Sequence, residues 1–128
     1  MGFAPRLIRT AIWLACFVAA FVVTHLPPSK LPSAGWLNDK VEHLIGYAML
    51  AMATCWRFGK SDRSRIAIMA AVLVGLAAYA AVDELTQPWV GRSCEWGDWL
   101  ADLGGAAIGL LLGLATGLLR RLSPKSRG

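Results

Sequence analysis

The stretch that decides the fold is IAIMAAVLVGLAAYAAVDELTQP, residues 66–88. Its first seventeen positions carry no charge. That is close to the roughly 20 apolar residues that a helix needs to cross a bilayer. Asp83 and Glu84 then follow in succession, and Gln87 and Pro88 close the run. Proline has no amide hydrogen and disfavours helix in the residue before it, so the helix should end there. Two adjacent carboxylates thus sit in the last helical turn, where the backbone dipole is negative and repels them. Capping cannot explain them, and an acidic group inside a span is by default a functional one. Adjacent helical positions diverge by about 100°, so only one of the two should face a common site.

Working outward, three further apolar runs match the first in kind. They cover about residues 7–26, 41–58 and 99–119, beside about 66–87 for the run just described. Pro27-Pro28 closes the first, and Gly59 to Ser64 separates the second from the third. Short connections make neighbouring helices antiparallel. The expectation is an all-α polytopic membrane protein, a four-transmembrane-helix bundle formed by one domain over residues 1–128. The first run lacks a clear small-x-small cleavage site before the proline pair, so it reads as an uncleaved span.

Composition agrees. Of the 128 residues, 56% are hydrophobic and only 16% charged, against about 25% charged in soluble domains. That excludes an ordinary soluble domain and a disordered chain. Three cysteines cannot build a disulfide framework. The net charge of +5 reads as a topology signal rather than a nucleic-acid footprint. Ten of the thirteen Lys and Arg fall before span one, around the loop between spans two and three, and after span four; only Lys30, Lys40 and Arg92 fall on the other side. The positive-inside rule then puts both termini in the cytoplasm. Trp36, Trp89, Trp96 and Trp99 gather at the expected outer boundary, as an aromatic belt does.

Seven of the eight acids fall at that same outer level: Asp39, Glu42, Asp83, Glu84, Glu95, Asp98 and Asp102. Asp39 and Glu42 open span two in a capping-box-like spacing, which gives them a structural reading beside the functional one. His43 lies four residues past Asp39 and Tyr47 a turn further, so the three share a face. Asp39 is the expected orienter of His43. Asp98 and Asp102 share a face of span four, and Gln87 shares one with Asp83. Arg92 either pairs with this cluster or grips a phosphate or carboxylate. His43, Asp83 and Glu84 are the candidate catalytic groups. Asp39, Lys40, Tyr47, Gln87, Arg92, Ser93, Asp98 and Asp102 are the candidate ligand-binding groups. So many carboxylates at one level call for protons or a bound divalent cation, Mg²⁺ or Ca²⁺ for oxygen ligands, Zn²⁺ or Mn²⁺ if His43 joins. Neither HExxH, nor a P-loop, nor GxSxG occurs.

Gly105, Gly109, Gly113 and Gly117 recur every four residues along span four. Such a line lets a second backbone approach closely, either inside the bundle or in a homo-oligomer.

These residues together resemble the VanZ-like family. Asp39-Lys40 with His43 and Tyr47 is similar to its first motif, Asp83-Glu84 with Gln87 to its second, and Gly91-Arg92-Ser93 with Asp98 and the glycine-bearing last span to its third. The likeness runs over about residues 36 to 113. One departure is Asp102, where the family often has Asn. The resemblance implies a small bacterial membrane protein of the cell envelope, the namesake being associated with resistance to the glycopeptide teicoplanin. Two functions fit: binding of an envelope lipid, wall precursor or glycopeptide-type ligand at the outward site, or acid/base or metal-assisted chemistry on a lipid-linked substrate.

Overall fold

The computed structural model describes residues 3–26, 39–58 and 65–122. It contains four helices: α1 Phe3–Thr24, α2 Asp39–Phe58, α3 Arg65–Thr86 and α4 Trp96–Leu122. No strand occurs among the described residues. Pro27, Pro28, Lys30 and Trp36 lie outside them, as do Lys60, Arg63, Lys125 and Arg127 of the ten basic residues that orient the spans, Asp62, the eighth acid, the surroundings of Gly117 and the side chains of Arg65, Arg120 and Arg121.

Three helices are long and apolar enough to cross a membrane: Pro5–Thr24, Ile66–Val90 and Trp96–Thr116. The expected fourth, α2, falls short. Its 20 residues include Asp39, Lys40, Glu42, His43 and Arg57, so it is long enough at about 1.5 Å per residue but less apolar. The charged residues lie at the two ends of α2, where Asp39, Lys40 and Glu42 are exposed. His43, Tyr47, Leu50, Ala51 and Thr54 recur at three- and four-residue spacing and are all buried, while Val41, Ile45, Met49 and Met52 are exposed.

The glycine line decides how α2 sits. A Cβ built on Gly105 would collide with the backbone of Leu44, and one on Gly109 with the backbone of Ala48; at Gly113 it would press on Cys55. The small-residue face of α4 is therefore filled by α2 of the same chain, with the two backbones in close approach. Gly104, on another face, has open space beside it.

Cross-helix contacts fix the antiparallel order. At one end Arg57 Nε donates to Thr10 Oγ1 at 2.8 Å, and the Arg9 guanidinium lies 4.7 Å from the centre of the Trp56 ring. The start of α1 thus lies beside the end of α2. At the other end Thr24 of α1 meets Asp83 of α3, and His43 of α2 meets Asp102 of α4. Midway, Trp13 Nε1 donates to Thr54 Oγ1 at 3.0 Å, and Tyr79 Oη to the Phe17 carbonyl at 3.0 Å. The apolar core is Tyr47, Leu50, Ala51, Leu76, Ala80, Ala106 and Leu110.

Pro88 ends α3 much as expected. The helix stops at Thr86 and tightens into a 3-10 turn over Gln87–Val90. Gly91 then adopts φ 79°, a left-handed conformation that glycine reaches without a Cβ penalty. Its amide donates to the Pro88 carbonyl and that of Arg92 to the Gln87 carbonyl, each at 3.2 Å. This turn sends residues 92–95 back over the bundle end and into α4.

Candidate functional site

The site is built at the end of the bundle where α2 and α4 begin and α3 stops. Its floor is buried. His43 Nδ1 donates to Asp102 Oδ1 at 2.9 Å, and the same nitrogen lies 3.9 Å from Glu84 Oε1. The three side chains come from three helices and are at most 4% exposed. Gln87 Nε2 donates to Glu84 Oε1 at 3.0 Å. The Glu95 amide donates to Glu84 Oε2 at 3.0 Å. Both oxygens of Glu84 are thus held, one by its own 3-10 turn and one by the returning loop.

Above the floor lies a rim of ion pairs. Lys40 Nζ donates to Asp98 Oδ1 at 2.8 Å and to Glu95 Oε2 at 3.1 Å. Those two hydrogen bonds, Asp98's first, hold the Lys40 ammonium well above the usual lysine value. The bond from Lys40, and then that from Ser93, hold the Glu95 carboxyl below the usual range. Ser93 Oγ donates to Glu95 Oε1 at 3.0 Å. Arg92 Nη2 donates to Asp39 Oδ1 at 2.9 Å. The rim thus joins the start of α2, the returning loop and the start of α4. Glu42 points away and is exposed, which agrees with its helix-start reading.

A second polar group lies on the α1 side. Thr24 Oγ1 donates to Asp83 Oδ1 at 2.8 Å, and His25 Nδ1 is 3.5 Å from the same oxygen. His25 Nε2 is 2.8 Å from Thr86 Oγ1, and its ring stacks on Phe21 with centroids 3.9 Å apart. The adjacent carboxylates of α3 are therefore divided: Glu84 faces His43 and Asp83 faces α1. That matches the divergence of neighbouring helical positions.

One sequence expectation is corrected here: the orienter of His43 is Asp102 rather than Asp39, which belongs to Arg92. Gln87 donates to Glu84, and its side chain also bears on Asp83, four residues before it. Sequence reasoning missed His25, Thr24 and Thr86. His25 is one of two histidines in the chain and closes the first apolar run at the level of the acids, a signal that was open to reading.

Four buried side-chain atoms among the described residues have no hydrogen-bond partner: Arg9 Nε, Tyr47 Oη, Asp83 Oδ2 and Asp102 Oδ2. The last three belong to this end of the bundle. Native proteins leave few such atoms, and each calls for an explanation. A separate groove of about 500 Å³, lined by Trp13, Phe17, Thr54, Phe58 and Leu76 among others, opens between α1, α2 and α3 toward the opposite end. It is apolar and holds none of this chemistry.

Comparison with known proteins finds no family model that matches the chain, and no similar curated protein or solved structure.

Proposed function

We propose that this chain is a VanZ-like integral membrane protein of the bacterial cell envelope, with four spans and both termini cytoplasmic, whose polar site at the outer end binds an envelope lipid or wall precursor. The observation that carries this reading is the ionisable cluster itself. Asp83, Glu84, Asp98 and Asp102 are each at most 3% exposed, although burying charge is costly and apolar side chains of similar size would hold a bundle as well or better. A chain that retains four such groups at one end uses them.

The rim indicates the ligand's chemistry. It offers two cations, Lys40 and Arg92, beside three acids, Asp39, Glu95 and Asp98. A zwitterionic headgroup, with a phosphate for the cations and an ammonium for the acids, matches that arrangement. The pairing of α2 with α4 supports counting α2 as a span, since its charged residues stand at its two ends and Val41, Ile45, Met49 and Met52 face outward. Arg6, Arg9 and Arg57 lie at the end opposite the site, which supports the cytoplasmic assignment of that end.

The experiment is lipid analysis of the purified protein. Wild type should retain phosphatidylethanolamine, or an amine-bearing wall precursor, through detergent washing, and a Lys40→Ala, Arg92→Ala variant should lose it. Equal retention by both would refute the reading.

One observation favours a second reading, a membrane enzyme acting on a lipid-linked substrate. The His43–Asp102 pair resembles an oriented acid–base dyad: Asp102 fixes Nδ1, which leaves Nε2 as the working nitrogen. Mass spectrometry of envelope lipids and wall precursors tests it. A species present only with wild type, and absent with His43→Ala, would favour chemistry over binding.

A further inference from the structure

We infer that the buried floor of the site, His43, Glu84 and Asp102, is a binding site for a divalent transition-metal ion of the Zn²⁺ class. The inference deepens the binding reading, resting on the same site, but it concerns the floor alone. One ligand atom from each of the three residues lies within 4.8 Å of the others. His43 Nδ1 lies 2.9 Å from Asp102 Oδ1 and 3.9 Å from Glu84 Oε1. Two atoms each about 2.0–2.2 Å from a shared ion are themselves roughly 3–4 Å apart. The ion therefore fits with small side-chain adjustments, taking on Nδ1 the place of the proton now shared with Asp102.

Acid clusters alone do not make a metal site, and two further observations point to an occupant. Asp102 is 0% exposed, yet its Oδ2 has no partner. Tyr47 stands one turn further along the α2 face that carries His43; it is 2% exposed and its hydroxyl is also unpartnered. Two buried polar atoms left unpaired at one end of the bundle call for an occupant. An ion on the floor takes the free oxygen of Asp102.

The charges and supports fit as well. A neutral imidazole and two carboxylates carry −2, which a divalent ion cancels. Three protein ligands with a free position are the usual arrangement of a reactive zinc site. Ligands in such sites are themselves held by hydrogen bonds, as Glu84 is held by Gln87 and by the Glu95 amide.

The test uses the full chain in detergent micelles, with affinity tags removed, stripped by chelator and then titrated with Zn²⁺. Wild type should retain about one zinc per chain after desalting, by elemental mass spectrometry, and its melting temperature should rise with Zn²⁺. Asp102→Asn and His43→Ala should each bind zinc at least tenfold more weakly, while Glu42→Gln, on the exposed face, should bind like wild type. Circular dichroism identifies a variant that has lost its helices; Asp102→Asn, nearly isosteric, carries the test if His43→Ala does not fold. Absence of retained zinc in wild type, or equal binding by wild type and Asp102→Asn, overturns the inference. Lipid retention measured on the same samples separates the two proposals. Zinc bound without lipid sinks only the headgroup reading, and lipid retained without zinc sinks only the metal.

Discussion

Alanine at Gly105 should loosen the joint on which the site depends, whereas alanine at the neighbouring Gly104 should not. The two substitutions add the same methyl to the same helix and gain the same helix propensity, up to about 1 kcal/mol each. They differ in what the methyl meets. At Gly104 it enters open space. At Gly105 it meets the Leu44 backbone, which cannot rotate away as a side-chain tip would, so α2 and α4 must part. Overpacking of this kind costs about 1–3 kcal/mol, and that range is the expected gap between the variants once the shared propensity cancels. Leu44 adjoins His43, so the gap should also appear as a lengthened His43–Asp102 contact. Thermal unfolding in one detergent, followed by far-ultraviolet circular dichroism, measures it: Gly104→Ala should melt at or above wild type, and Gly105→Ala several degrees below Gly104→Ala. Equal melting of the two would refute the close approach of α2 to α4.

Further expectations follow from single contacts. A double-mutant cycle on His43 and Asp102 should show strong coupling: Asp102→Ala alone should cost about 3–5 kcal/mol, as breaking buried pairs does, and the double alanine variant clearly less than the sum of the singles; additive losses would mean that the pair is not formed. Glu95 is held below its ordinary carboxyl value, so the clasp it makes with Lys40 is complete above that value and opens as pH falls through the lowered one; the Lys40 end, held above the usual lysine value, persists through neutral and moderately alkaline pH and opens only as pH rises past its raised value. Fluorescence of Trp96, next to Glu95, should report the acidic opening in wild type and not in Glu95→Gln. Thr54→Val should cost about 0.5–1.5 kcal/mol, the ordinary worth of a hydrogen bond, by leaving the Trp13 indole N–H without its acceptor; an unchanged melting temperature would remove that link. Cys94 is exposed in the returning loop, so a membrane-impermeant maleimide should label it from the periplasmic side of intact spheroplasts, and protection there would invert the proposed orientation.

Much of this arrangement was legible in the sequence, for identifiable reasons. Residues 66–88 announce a long apolar helix that must deliver carboxylates to its end, because both charge spacing and Pro88 are local signals. The shared faces of His43 with Tyr47 and of Asp98 with Asp102 follow from helical periodicity alone, and all four side chains are buried as those faces require. The rotation of each helix against its neighbours was not legible. Whether Asp83 or Glu84 meets His43, and whether Asp39 or Asp102 orients it, depends on how the glycine face of α4 seats against Leu44 and Ala48. That seating is tertiary packing and leaves no local mark. The burial of His43 and Thr54 in α2 was hidden for a related reason: mean hydropathy averages over a helix and does not register which of its faces is packed. His25 shows a different gap: its position among the acids was readable, but its partners Thr86 and Asp83 lie some sixty residues away and only packing brings them to it.

The central claim is that the outer polar end of this bundle binds a zwitterionic headgroup. Native mass spectrometry of the delipidated protein, titrated in parallel with phosphatidylethanolamine and phosphatidylglycerol, tests it most directly. The account predicts saturable binding of phosphatidylethanolamine at one site per chain, preferred over phosphatidylglycerol and lost in Lys40→Ala, Arg92→Ala. Equal, unsaturable uptake of both lipids by wild type and variant alike would contradict it.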